Sequence, residues 1–193
     1  MISLLEFAKS QNNLKLEFCK HLYFKGTRIG TVPAKVETEL HRFSNLFEIF
    51  DDHIDILENE NLTQMFEDFL LKLKSEGRFV SLKGWRNEHF RVGLDLGKPP
   101  LFSMDRGAVP LFGFFQYGVQ LNGYVVNETG QISIWMQKRS DTKKCWPGRY
   151  DNIAGGGLPV GFDVFDNMAK EAFEEANIPE ELVRKAIPSG SIR

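Results

Sequence analysis

Apolar residues recur along the chain at two spacings, and the points where one spacing gives way to the other mark its elements. Leu14, Leu16 and Phe18 alternate with polar neighbours, as do Leu22 and Phe24, which predicts strand up to a turn at Lys25-Gly26. Pro33 stands where a helix can begin, and Val36, Leu40 and Phe43 then share one face. The runs LFEIF and HIDIL predict two short strands around a turn at Asp51-Asp52. From 62 to 74 the period lengthens: Leu62, Met65, Phe66, Phe69, Leu70 and Leu73 make the stripe of a core-facing helix. Asn61 with Gln64 resembles a capping box for it, and Gly77 supplies the stop. The opening MISLLEFAKSQNN predicts a first helix, since it is too short and too acidic for a signal or transit peptide.

Gly97-Lys98-Pro99-Pro100 is the sharpest punctuation in the chain, and Gly107 and Pro110 follow it, so a domain boundary is placed near residue 112. Beyond it, QYGVQLNGYVVN and QISIWMQKRS predict two strands joined through Glu128-Thr129-Gly130. A loop, DTKKCWPGRYDN, leads to the glycine run 155–157 and then to a helix. Asp163 suits the N-cap with Asp166 three positions on, Asn177 suits a left-handed C-terminal position, and Pro179 blocks continuation. At about 100° per residue, Glu171, Glu174 and Glu175 fall within roughly a quarter-turn. Phe165, Ala169, Ala172, Phe173 and Ala176 take the other side as the expected packed face.

The chain has 193 residues, 42% of them hydrophobic, enough for one large or two small domains. A net charge of -2 with both signs mixed argues against a nucleic-acid footprint or a membrane-attracted basic surface. No apolar run is long enough to span a bilayer. Cys19 and Cys145 match no CxxC spacing and read as ordinary thiols of a reducing compartment, so a cytoplasmic protein is expected. The acidic stretch DDHIDILENE is broken by Ile54, Ile56 and Leu57, and reads as a solvated strand edge rather than a metal cluster. His21, His41, His53 and His89 have no partner at ligand spacing and read as structural or surface groups.

The three glutamates raise the one chemical question. A Glu-rich helix face is commonly just solvated surface. These residues, however, sit in the last two turns, where carboxylates meet the negative end of the helix dipole. A hard divalent cation would offset that, since Mg²⁺ is held by a few carboxylates together with substrate phosphates and water. Glycines at 155–157 allow tight backbone geometry and let a main-chain group point at the same place. The run is neither a P-loop, lacking its Lys-Ser/Thr ending, nor GxGxxG. Arg139 and Lys138 end a strand, where they either contact phosphate oxygens or are simply charged termini. Trp146 is either a stacking surface or a Trp-Pro packing corner.

The segment GGGLPVGFDVFDNMAKEAFEEANIP resembles the box of the Nudix hydrolase family: Gly, five residues, Glu, seven residues, Arg-Glu, an aliphatic, any residue, Glu-Glu, any residue, Gly and an aliphatic. Gly156 takes the first position, Lys170-Glu171 the Arg-Glu, Glu174-Glu175 the Glu-Glu, and Ile178 the last aliphatic. Phe162 stands for the first Glu, Lys170 for Arg, Ala172 for the aliphatic and Asn177 for Gly. The flanks GVQLNGYV and WPGRYDNIAGGGLPVG, with HFRVG and LFSMDRGAVPLFG upstream, resemble the thiamine-pyrophosphokinase-related branch, which carries an extra N-terminal domain.

The resemblance implies an α+β chain: a small N-terminal α/β domain over 1–112, then over 113–193 the first half of a Nudix α/β/α sandwich with a mixed sheet. It further implies a hydrolase that cleaves a diphosphate linkage, with thiamine-diphosphate-like compounds as one substrate class. Glu171, Glu174 and Glu175 would be both catalytic and metal-binding, with Mg²⁺ or Mn²⁺ as cofactor, and Arg139, Gly155 and Gly156 would meet the substrate. The chain stops at IPSGSIR, about 15 residues past the box, so the later strands of the Nudix domain are expected to be missing. An open sheet edge and self-association through it are expected in turn. With Phe162, Lys170 and those missing strands, the alternative is a Nudix-like binding or interaction module without turnover.

Overall fold

A computed structural model describes residues 3–11, 15–143 and 146–191. Helices and strands are interspersed in an α+β fold, and the chain divides into two compact units, Met1–Phe115 and Gln116–Arg193.

The first unit opens with α1 (Leu4–Gln11), the helix expected there. Strand β1 (Cys19–Phe24) starts later than the alternation of Leu16 and Phe18 suggested. Leu16–Phe18 instead form a 3-10 turn, with Leu16 and Phe18 exposed, and Leu14 lies outside the described residues. The reason is the partner: β2 (Thr27–Pro33) pairs with β1 only from Cys19↔Pro33 onward, so the earlier residues have no sheet to bury against. Lys25 and Gly26 both take positive φ, 52° and 71°, which gives the hairpin turn. Pro33 then begins α2 (Ala34–Leu40), whose Val36 and Leu40 are buried.

β3 (Phe47–Ile49) and β4 (His53–Ile56) form the expected hairpin, and the sheet order is β2-β1-β4-β3. The sheet is mixed because β1 and β4 run parallel. Helix α3 (Leu62–Ser75) buries Leu62, Phe66, Phe69, Leu70 and Leu73. It ends as Gly77 allows: at φ 67°, with Arg78 N–H reaching the Leu73 carbonyl at 3.1 Å and Gly77 N–H the Lys74 carbonyl at 3.0 Å. The capping box at its other end is absent. Asn61 sits at φ -105°, ψ 27°, outside the extended region an N-cap needs, and its N–H donates to Asn59 Oδ1. β5 (His89–Val92) and β6 (Phe102–Asp105) complete the unit as a hairpin.

One ion-pair group ties α2 to the end of α3. Arg42 bridges Glu39 at 2.6 Å and Glu76 at 2.7 Å, and Arg78 contacts Glu76 at 3.0 Å. Hydrogen bonds from Arg42 and then Arg78 hold the Glu76 carboxyl down to about 2, from an ordinary 4.5. A depressed carboxyl stabilises the fold fully above its unfolded value and loses that contribution as pH falls through its folded one. Stability should therefore drop between pH 4.5 and about 2. Acid titration of Glu76→Gln should show a flatter profile over that window; an unchanged slope would refute the assignment.

The second unit contains β7 (Gly118–Leu121), β8 (Gly123–Val126), β9 (Ile132–Trp135), β10 (Gln137–Lys138), β11 (Tyr150–Asp151), β12 (Ala154–Gly157), α4 (Val164–Ala176) and α5 (Glu180–Val183). Its described strands pair two by two and antiparallel: β7 with β12, β8 with β9, β10 with β11. The stretch expected as one strand, QYGVQLNGYVVN, is thus two strands broken at Asn122 and committed to different partners. The β8–β9 turn is the expected one; Asn127 Oδ1 accepts the N–H groups of Thr129 and Gln131, and Gly130 takes φ 80°. Residues 155–157 lie in strand β12, not in a loop.

Val119, Ala154, Met168, Ala172 and Val183 make up the buried apolar cluster of this unit, which is smaller than the separate, phenylalanine-rich cluster of the first. Among the described residues, no helix is long and apolar enough to cross a membrane. The difference in core size predicts that amides in α3 exchange with solvent more slowly than those in α4. Equal protection of the two helices would show that apolar burial does not set their relative stability.

Candidate metal and diphosphate site

Helix α4 is fixed at both ends by its own residues. The Asp163 carboxylate accepts the Asp166 N–H at 2.8 Å, and that bond is the main cause holding its pKa below the usual value. The hydrogen bond to Asp163 raises Asp166 in turn. At the other end Asn177 is left-handed, φ 51°, ψ 34°, and Ile178 N–H returns to the Ala172 carbonyl at 3.1 Å.

The face that α4 buries includes Ala172, with Ala169 packed beside it, as expected, but otherwise differs from the expected one. Asn167, Met168 and Ala172 are buried, while Phe165 and Phe173 are 42% and 62% exposed. The helix is rotated so that Glu171 and Glu175 lie over β12 rather than away from it. A Cβ on Gly156 would come within 2.3 Å of the Glu171 carboxyl carbon. Glu175 Oε2 accepts the Gly155 N–H at 3.1 Å and Gln137 Nε2 at 3.3 Å, with Lys143 Nζ 3.9 Å from Oε1. The three glycines therefore act through close approach: none of them has a positive φ, and a side chain on Gly156 would occupy the space of a carboxylate.

Glu174 stands apart. Its side chain is 56% exposed and contacts Lys170 Nζ at 3.3 Å, while the same ammonium lies 3.3 Å from Glu171, whose side chain is 15% exposed. Burial works against the Lys170 ammonium, yet Glu171 and Glu174 outweigh it and keep its pKa above the ordinary lysine value. Lys170 is thus the cation already present between two of the three glutamates. Among the described residues no three carboxylates, histidines or cysteines converge as metal ligands. Carboxylate oxygens are the donors a hard divalent ion takes, but here the Lys170 ammonium occupies the space between Glu171 and Glu174, and no third ligand among the described residues converges with them.

The remaining expected contacts divide. Gly155 and Gly156 lie against the glutamates, as described. Arg139 pairs with Asp151 at 2.6 Å across the β10–β11 ribbon, a structural ion pair, and Lys138 is exposed. Trp146 forms no packing corner: it is 59% exposed at φ 53°. His21 meets Thr31 at 3.4 Å, His53 Asp52 at 2.7 Å and His89 Ser103 at 3.1 Å, each a local contact in the first unit. Cys145 lies outside the described residues. Sequence reasoning missed Gln137, Lys143 and Asn167; for Asn167 the signal was its place four residues before Glu171, on the stripe that ends at Glu175.

A groove of about 550 Å³ lined by Asp166, Ala169, Lys170, Phe173, Pro179 and Glu180 runs beside α4 and α5. Its lining includes the charged groups of Asp166, Lys170 and Glu180 but none of the three glutamates.

Nudix hydrolase 24, chloroplastic, of Arabidopsis thaliana is 40% identical over 120 residues, 62% of this chain and 33% of that protein. Nudix hydrolase 20, chloroplastic, of the same plant is 38% identical over 133 residues, 69% of this chain and 34% of that protein. The uncharacterized protein YJR142W of Saccharomyces cerevisiae is 28% identical over 213 residues, covering 98% of this chain and 61% of that protein. The chain spans between a third and three-fifths of the length of these relatives and is related in sequence to proteins named Nudix hydrolases. Residues 3–116, more than half of its length, match the family described as Domain of unknown function (DUF4743), and the chain belongs to that family.

Proposed function

We propose that the chain carries the metal-binding part of a Nudix-type hydrolase that cleaves a diphosphate linkage, with thiamine-diphosphate-like compounds as the substrate class. In this reading residues 1–112 precede the Nudix part, 113–193, and the protein works in a reducing compartment such as the cytoplasm. The observation that carries it is the seating of the Glu171 carboxylate over Gly156 and of Glu175 on the Gly155 N–H. A solvated Glu-rich face gives no reason for either contact.

Glu171, Glu174 and Glu175 would hold Mg²⁺ or Mn²⁺, which supplies Lewis acidity to a phosphoryl oxygen and acidifies bound water. The residues of the chain do the rest. Gly155 N–H donates to the Glu175 carboxylate and so fixes its position over β12. Gln137 and Lys143 hold that carboxylate from the side of β10 and the following loop. Gly156 leaves the space that Glu171 fills. Arg139, held by Asp151 through Nη1, would meet a substrate phosphate with its other donors. The partner is a small molecule, and no nucleic acid or membrane is required. Self-association through the β8–β9 ribbon, where Tyr124, Val126, Ile132 and Ile134 are all more than half exposed, belongs to the same proposal.

The test is release of monophosphate or phosphate in Mg²⁺ or Mn²⁺. Release should stop in a chelator and in the double variant Glu174→Gln, Glu175→Gln. Turnover that persists in either overturns the reading. A second reading, a binding module without turnover, is favoured by Lys170 standing between Glu171 and Glu174 and by Phe162 in the position of the first box glutamate. It requires saturable binding of a diphosphate with no product formed in either metal, and steady product formation rules it out.

A further inference from the structure

We infer that Asn167 is a positioning residue for the glutamate site: it holds α4 in register on β12 so that Glu171 and Glu175 meet Gly156 and Gly155. The inference rests on the reading that these glutamates hold a divalent ion. Asn167 is fully buried within α4, where its neighbours Met168 and Ala172 are apolar. Its Nδ2 donates to the Gly157 carbonyl at 3.0 Å, and its buried Oδ1 has no partner among the described residues. Both features cost stability. Asparagine is a weak residue in a helix interior, and a buried acceptor with no donor loses its hydration without return. Leucine, of similar size, would avoid both.

What the amide provides is register. Residues 167, 171 and 175 stand on successive turns of α4, and they meet Gly157, Gly156 and Gly155 in that order. Met168 and Ala172 pack on Ala154 and Val119, but over the glycines at 155–157 no strand side chain interdigitates with the helix, and there bonds to the strand's backbone set its register. Among the described residues these bonds are Asn167 to Gly157 O and Glu175 to Gly155 N–H. A cation bound at Glu175 competes for that carboxylate, whereas the Asn167 bond involves no group that a cation would take. Asn167 is therefore the anchor that persists when the site is occupied.

The experiment titrates Mn²⁺ into the chain by calorimetry or electron paramagnetic resonance, comparing wild type with Asn167→Leu, Asn167→Asp and the control Met168→Ala. Both Asn167 variants lose the Nδ2 donor, and each should bind Mn²⁺ about tenfold more weakly, the scale of losing a residue that orients a ligand. Met168→Ala should lower Tm at least as much with Mn²⁺ affinity unchanged. Wild-type affinity in both Asn167 variants overturns the inference, as does a loss that tracks Tm across all three. A metal-free readout separates this inference from the reading beneath it: amide exchange at Gly155 should quicken in Asn167→Leu. If wild type binds no Mn²⁺, the metal reading fails, and unchanged Gly155 exchange then refutes the register role as well.

Discussion

Phe66→Ala is expected to destabilise the first unit by about 3–5 kcal/mol, the range for removing a fully buried phenylalanine. The ring is fully buried. It stacks on Phe102 at a centroid distance of 4.4 Å and meets Phe47 and Phe112 edge-on at 5.6 and 5.7 Å. Those neighbours stand on β3, on β6 and on the turn Val109–Phe112, three separate pieces of the unit. No single rearrangement moves them all inward, so the cavity stays open and the cost lies toward the upper end. Each aromatic pair adds about 0.5–1.5 kcal/mol beyond area burial, which points the same way. Urea unfolding should show a lower midpoint with an unchanged m-value. A loss below about 1.5 kcal/mol, the size of a conservative core swap, would mean that the core closes around the gap.

Helix α3 could be read from the sequence because everything that specifies it is local. Its apolar stripe has a single period, and Gly77 is the one residue there that takes φ 67° without strain. Its N-terminus is not legible, for the opposite reason. Whether Asn61 caps depends on the backbone angles imposed by the preceding turn, which residue types alone do not give. The split of 116–127 into β7 and β8 was hidden likewise: alternation is the same within either piece, and only the choice of partner, β12 or β9, separates them.

At the candidate site the boundaries of α4 were legible and its orientation was not. Assigning apolar residues inward and charged residues outward assumes that the surface beneath the helix has side chains of its own. Over Gly155–Gly157 it has none, and long polar side chains fill the space better than Ala169 or Phe173 would. Three glycines in a row do not signal a strand; here they lie in one, and their reason is close approach. Seeing that required knowing what lay above it.

Gly156→Ala and Gly155→Ala should therefore separate site geometry from stability. The added methyl at Gly156 would lie 2.3–2.6 Å from three atoms of the Glu171 carboxyl group. Those atoms end a flexible side chain, so Glu171 swings away and the backbone holds. Folding should change little, while a carboxylate displaced by about 1 Å or more costs catalysis on the order of a hundredfold. At Gly155 the methyl would meet the Val119 carbonyl oxygen at 2.9 Å as well as the Gln120 side chain at 2.5 Å. A carbonyl in the paired strand cannot rotate clear without breaking the β7–β12 ladder, so this variant should lose about 1–3 kcal/mol of stability, as overpacked sites do. Thermal melts with Mn²⁺ titrations on the two variants would decide the matter. A Gly156→Ala chain that melts like wild type but binds Mn²⁺ weakly supports the arrangement; one that binds Mn²⁺ as wild type does would mean that Glu171 holds no metal at Gly156.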